Sequence, residues 1–99
     1  MKANIQFVNS DRNGTAEGII NKKLDSLKRK FDWLISAEVF FKSEKESNGK
    51  GFICEVRLSL PGPQIHANCN EASFEAAAAG VADDLEVQLK KRKSEMLTH

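Results

Sequence analysis

Apolar and polar positions recur with two periods along this chain, and the periods mark out six elements. In "KANIQFV" residues Ala3, Ile5 and Phe7 alternate, which predicts a short strand. "SDRNG" breaks it, and Asn13 or Thr15 is placed to cap a following helix. From there Ala16, Ile20, Leu24, Leu27 and Phe31 recur at three- and four-residue spacing and make one apolar stripe, ending near Asp32. "SAEVFFKSE" returns to alternation, with Ala37, Val39 and Phe41 in phase, and "EKESNGKG" is a polar loop.

The clearest alternation is "GFICEVRLSLP", where Phe52, Cys54, Val56, Leu58 and Leu60 point one way. After the turn "PGPQ", Ile65, Ala67 and Cys69 alternate again. Pairing Leu60 with Ile65 puts all eight of these side chains on one face and predicts a hairpin. In that register Cys69 faces Val56, and Cys54 is its diagonal neighbour. Diagonal pairs are poorly placed for a disulfide, so both cysteines are expected to be buried free thiols. From Ser73, a fair N-cap, an Ala-rich helix follows, with Phe74, Ala77, Ala78, Val81, Leu85 and Leu89 as its buried stripe, continuing to Met96. The predicted order is β-α-β-β-β-α, an α+β fold with both helices on one face of a four-stranded sheet, a variation on the double-stranded-RNA-binding domain.

Composition narrows the function classes. The chain has 99 residues, expected to form one domain (1-99), with 40% hydrophobic and 29% charged residues, values of a globular protein. "MKANIQFVNS" lacks the apolar run of a signal peptide, and no stretch is long enough to span a bilayer, so a cytoplasmic protein with no membrane partner is expected. With His66 and His99 as the sole histidines and no C-x-x-C pair, neither a metal nor another cofactor is expected. No paired acid and base at motif spacing and no phosphate-cradling glycine loop is visible, so neither catalysis nor a small-molecule substrate is expected.

Charge changes the picture more. The net charge of +1 conceals two basic blocks: Lys22, Lys23, Lys28, Arg29 and Lys30, against Asp25 alone, and Lys90, Lys91, Arg92 and Lys93. On the first helix Lys22 and Arg29 fall opposite the apolar stripe, and Lys23 and Lys30 on its flank. The second block, "QLKKRK", belongs to the last turns of the long helix, where the macrodipole favours positive charge. Arg92 lies at the angle of the apolar stripe, where burial would be costly, so the helix is expected to extend past the core with its basic end projecting. These nine residues are the candidate RNA-binding set. A different RNA signature fails: "KGFICEV" imitates the aromatic strand of the RNA-recognition motif, but Cys54 stands where its second stacking aromatic belongs.

"NKKLDSLKRKFD", "AEVFFKSEK", "VRLSLPGPQIHA" and "SFEAAAAGVADDLEVQLKKRKSEM", in this order, resemble the ribosome hibernation-promoting and ribosome-associated inhibitor proteins, also known as sigma-modulation proteins. The likeness runs from the first strand to Met96. It implies binding to the small ribosomal subunit and its ribosomal RNA, in the channel that messenger and transfer RNA use, through basic residues of both helices. Lys23, Lys91, Lys93 and Arg29 match basic positions of the family. Lys22, Lys28, Lys30, Lys90 and Arg92 add charge beside them. The length corresponds to a short form without a C-terminal dimerisation domain, expected to be monomeric off the ribosome. Asp84 and Val87 stand where many relatives carry positive charge, Glu75 where they place Tyr, Ala79 where they place Asp, and Ser26 where Lys is common. The alternative is a protein-binding modulator of sigma-54-dependent transcription, using Asp83, Asp84 and Glu86 with Phe40 and Ile53 on the open sheet face.

Overall fold

The computed structural model describes residues 1–44 and 48–97; Lys45, Glu46 and Ser47 of the polar loop, with Thr98 and His99, lie outside the described residues. The elements are β1 (Lys2–Val8), α1 (Gly14–Lys30), β2 (Ser36–Ser43), β3 (Phe52–Ser59), β4 (Ile65–Glu71) and α2 (Phe74–Leu97). The order β-α-β-β-β-α and the α+β class are as expected. One sheet of order β1-β2-β3-β4 holds a parallel β1–β2 pair, with α1 as the crossover, and two antiparallel pairs after it.

The alternating residues of the strands and the stripes of both helices enter one core. Val39, Phe41, Cys54, Val56 and Leu58 are buried from the sheet side, and Ala16, Ile20, Leu24, Val81, Leu85 and Leu89 from the helix side. Asn13 is the N-cap of α1, its side chain accepting from Ala16 N–H at 3.0 Å. Ser73 does the same for α2, its hydroxyl accepting from Ala76 N–H at 3.1 Å. Phe74 meets Phe7, Phe41 and Phe52 edge-on, with centroids 5.0–5.8 Å apart, and so pins the start of α2 to the sheet.

The β3–β4 register differs from the expected one by two residues. Leu58, not Leu60, pairs with Ile65, and Cys54 lies directly opposite Cys69. Pro61 and Pro63 have no N–H to give a ladder, and Gly62 takes the left-handed φ of 91°. The strands therefore part at Ser59, and the connection lengthens. A slip of two preserves the facing of every side chain, so Leu60 remains buried. Both thiols are free, but Cys69 is half-buried rather than buried, and the Cys54–Cys69 pair is a direct cross-strand pair rather than a diagonal one.

Gly80 has a structural reason that helix propensity does not supply. A Cβ at this position would lie 2.6 Å from Cys69 Sγ, so the missing side chain is what lets α2 sit closely on β4. Ala77 and Ala78, both buried in the same core, are likewise small, while Ala82 is buried on the side of α2 that faces α1.

Gly80→Ala is therefore expected to destabilise the protein by about 1 kcal/mol, crowding against Cys69 outweighing the gain in helix propensity. Pairing it with Cys69→Ala should restore stability, and urea unfolding of the single and double variants measures both. A Gly80→Ala protein more stable than wild type would show that the sulfur moves aside at no cost.

The thiols give a second expectation. Burial pushes the Cys54 thiol from an ordinary 9.0 up to about 12. Desolvation also raises Cys69, with Glu71 adding to it. In the native protein, alkylation should reach Cys69 slowly and Cys54 later still, when the chain unfolds. The raised Cys54 value means that above about pH 9 the unfolded chain ionises and the folded one does not. Stability should then fall between pH 9 and 12, by up to about 1.4 kcal/mol per pH unit, and urea titrations at pH 8, 9.5 and 11 check it.

Candidate nucleic-acid interface

Both helices start at the same edge of the molecule, and this brings the basic blocks together. Asn13 at the start of α1 donates to Glu75 at the start of α2 (3.2 Å), while Lys30 at the end of α1 pairs with Glu86 of α2 (3.1 Å). The helices therefore run side by side in the same direction. Lys22–Lys30 and Lys90–Lys93, some sixty residues apart in sequence, converge on the end that also carries the Pro61–Pro63 turn.

The nine candidate residues divide into distinct roles. Lys22, Lys23, Arg29 and Lys91 are exposed and meet no acid among the described residues. Lys93 is exposed too, its ammonium 6.0 Å from the centre of the Phe31 ring. Lys30 and Lys90 both reach Glu86 at 3.1 Å, and these two bonds hold its carboxyl below the usual carboxylate range. The acidic cluster foreseen around Asp83, Asp84 and Glu86 is thus partly neutralised, leaving Asp83 and Asp84 exposed.

Two of the nine are held by backbone carbonyls. Lys28 donates to Asp32 O and to Leu34 O, the latter at 2.7 Å, and so ties off the exit from α1. Arg92 does not project. It is half-buried, and its guanidinium donates to Pro61 O at 3.2 Å and Pro63 O at 2.9 Å. The angle of Arg92 on the apolar stripe was a sound pointer to its direction, but a turn, not solvent, lies there. Around it Lys90, Lys91, Lys93 and the segment to Leu97 are exposed, so α2 does overhang the core, by about 12 Å for its eight residues after Leu89.

The macrodipole accounts for one block and not the other. Lys28, Arg29 and Lys30 occupy the last turn of α1, whereas α2 continues to Leu97 and its last turn contains no basic residue. The charge of Lys90–Lys93 therefore lacks that local explanation. Between the helices lies a shallow groove of about 150 Å³ lined by Lys23, Ser26, Lys30, Asp83 and Glu86 among others. On the opposite face of the sheet Phe40 and Ile53 are half-buried, with the Arg57 guanidinium 5.6 Å from the Phe40 ring centre.

Residues 3–96 match the model of the family described as Sigma 54 modulation protein / S30EA ribosomal protein. The chain belongs to this family. It is 29% identical over 93 residues to the ribosome hibernation promoting factor of Pseudomonas putida, an alignment covering 94% of this chain and 87% of that protein. Among solved structures it is similar to a ribosomal subunit interface protein from Coxiella burnetii, with a TM-score of 0.81 at 21% identity over 95% of this chain and 99% of the other, a likeness of fold. The N-terminal domain of Protein Y from Thermus thermophilus gives 0.71 at 26% identity, over 91% and 93% of the two chains. The family is one of ribosome-associated factors. A basic end built by parallel helices therefore sits on a scaffold whose relatives carry ribosomal names.

The division of the nine residues is open to measurement. Lys28→Met removes both carbonyl contacts at the end of α1 and is expected to cost about 1 kcal/mol in urea unfolding. If Lys28 instead works as a phosphate ligand, the same variant will keep its stability and lose nucleic-acid affinity.

Proposed function

We propose that this protein is a non-catalytic ribosome hibernation factor that binds the decoding channel of the small ribosomal subunit and excludes messenger and transfer RNA. The observation that carries the reading is the convergence of both basic blocks at one end of the molecule, with Lys22, Lys23, Arg29 and Lys91 facing solvent. Such an end neutralises phosphates and releases their counterions, and it needs no base-reading motif to recognise a folded RNA by shape. Steric occupation then does the inhibiting. The acting unit is the single domain 1-99, monomeric off the ribosome and cytoplasmic, as its target is.

Modulation of sigma-54-dependent transcription is the second reading, kept because the family description names it. Its foreseen surface is the weaker of the two: Glu86 is occupied by two lysines, and Arg57 lies beside Phe40 on the open sheet face.

With five phosphates neutralised by Lys22, Lys23, Arg29, Lys91 and Lys93, log affinity for small subunits should fall against log salt with a slope of roughly −4. Co-sedimentation at four salt concentrations measures it. Lys91→Glu with Lys93→Glu should leave the circular dichroism unchanged and abolish binding and translation inhibition. Asp84→Lys with Val87→Arg, both at exposed positions, should strengthen binding if the middle of α2 also lies against RNA. A flat salt dependence, or pull-downs that recover polymerase instead of ribosomes, would overturn the proposal.

A further inference from the structure

The Pro61–Pro63 turn and the overhanging end of α2 are joined by side chains, not by the core. Gln88 Nε2 donates to His66 O at 2.9 Å, and one helical turn later Arg92 donates to Pro61 O and Pro63 O. Gln88 and Arg92 are four residues apart and so lie on one line of the helix. Together they stitch the overhang to the start of β4 and to the turn before it. Gly62 sits beneath the guanidinium, where a Cβ would lie 3.2 Å from one of its nitrogens, so the turn is closed against Arg92. Residues 61–64 are all exposed, and a groove of about 240 Å³ lined by Ile65, Gln88, Lys91, Arg92 and Glu95 runs alongside.

We infer that Arg92 is a positioning residue rather than a phosphate ligand, and that it locks the 61–64 turn and the end of α2 into one rigid contact surface for an RNA backbone. The inference deepens the proposed function and rests on it for the identity of the partner. Three physical points support it. The guanidinium gives each carbonyl of the turn its own nitrogen, Nη1 to Pro61 O and Nη2 to Pro63 O, in one rigid plane, a two-nitrogen fork that a lysine at this position would have to replace with a single nitrogen. It covers two carbonyl dipoles that would otherwise face an incoming phosphate. It also removes the ordering cost that a loose turn and a frayed helix end would add to binding, on a turn already stiffened by two prolines. Lys91, next to Arg92 and beside Ile65 in the groove, is then presented at a set place.

The test compares Arg92→Lys, which keeps the charge, with Arg92→Gln, which removes it, and with Lys91→Gln as the phosphate-ligand standard. The probes are purified small ribosomal subunits over a salt series, and NMR order parameters of Gly62 and Gln64 in the free protein. The clasp predicts that Arg92→Lys and Arg92→Gln lose affinity alike, roughly five- to tenfold, while the salt slope stays at the wild-type value. Lys91→Gln should reduce that slope by roughly 0.8. In both Arg92 variants the order parameters of the turn should fall. The inference is overturned if Arg92→Lys binds like wild type while Arg92→Gln loses about one unit of slope, or if the turn stays equally ordered in both. Should the wild-type protein not bind small subunits at all, the proposed function fails and takes the RNA-facing half of this inference with it. The order parameters still decide the clasp.

Discussion

The close seat of α2 on β4, with Gly80 over Cys69, is the contact on which the working end of this molecule depends. Were the helix pushed outward, the buried alanines around Gly80 would lose their fit to the sheet. The line of Gln88 and Arg92 would no longer reach His66 and the Pro61–Pro63 turn. The aromatic cluster around Phe74 anchors the helix at one end, and the stitched turn anchors it at the other. Between them a stripe of small side chains decides how near the helix lies. The basic residues of α2 thus inherit their placement from an apolar contact about ten residues earlier.

Parallel alignment of the helices adds the second constraint. A β-α-β crossover sends α1 from the same edge at which α2 later begins, so the end of α1 lies beside Glu86–Lys93 of α2, which runs on to Leu97. Basic side chains of both helices gather where α1 stops. On α1 the last-turn lysines and arginine answer the dipole directly. On α2 the charge sits one turn earlier, outside that effect, and the dipole does not account for it.

Much of this was legible along the chain, because alternation and helical recurrence are local patterns. The strands, the Ser73 cap and the buried stripes all follow from residues within a few positions of one another, and the cap of α1 was narrowed to Asn13 or Thr15. The β3–β4 register did not, because two prolines without N–H groups lengthen the connection and alternation is blind to a slip of two. The partners of Arg92 were hidden for a related reason. Its helical angle gives a direction, but the turn it meets comes thirty residues earlier. Lys28 was read by its charge, whereas carbonyls beyond α1 define what it does, and nothing near Gly80 in the chain points to the sulfur of Cys69 that it makes room for. The family resemblance fixed the class of partner to look for, and the geometry then sorted nine similar-looking cations into exposed groups, ion-paired groups and structural ones.

The gathering of the two basic blocks has an effect at distances where no contact has formed. They hold nine of the fifteen basic residues with one acid, so the rest of the chain carries six basic residues and thirteen acids. Glu86 and Asp32 lie among these cations and offset part of their charge, but in a molecule 47 Å long and 25 Å across the surplus of cations at one end leaves an uneven field, even though the net charge is close to zero. Near a polyanion such a body is turned before it is captured: the field of the polyanion draws the basic end forward and pushes the acidic remainder away. Near neutrality overall also means weak attraction at long range, with orientation becoming strong within roughly a Debye length, about 8 Å at physiological salt.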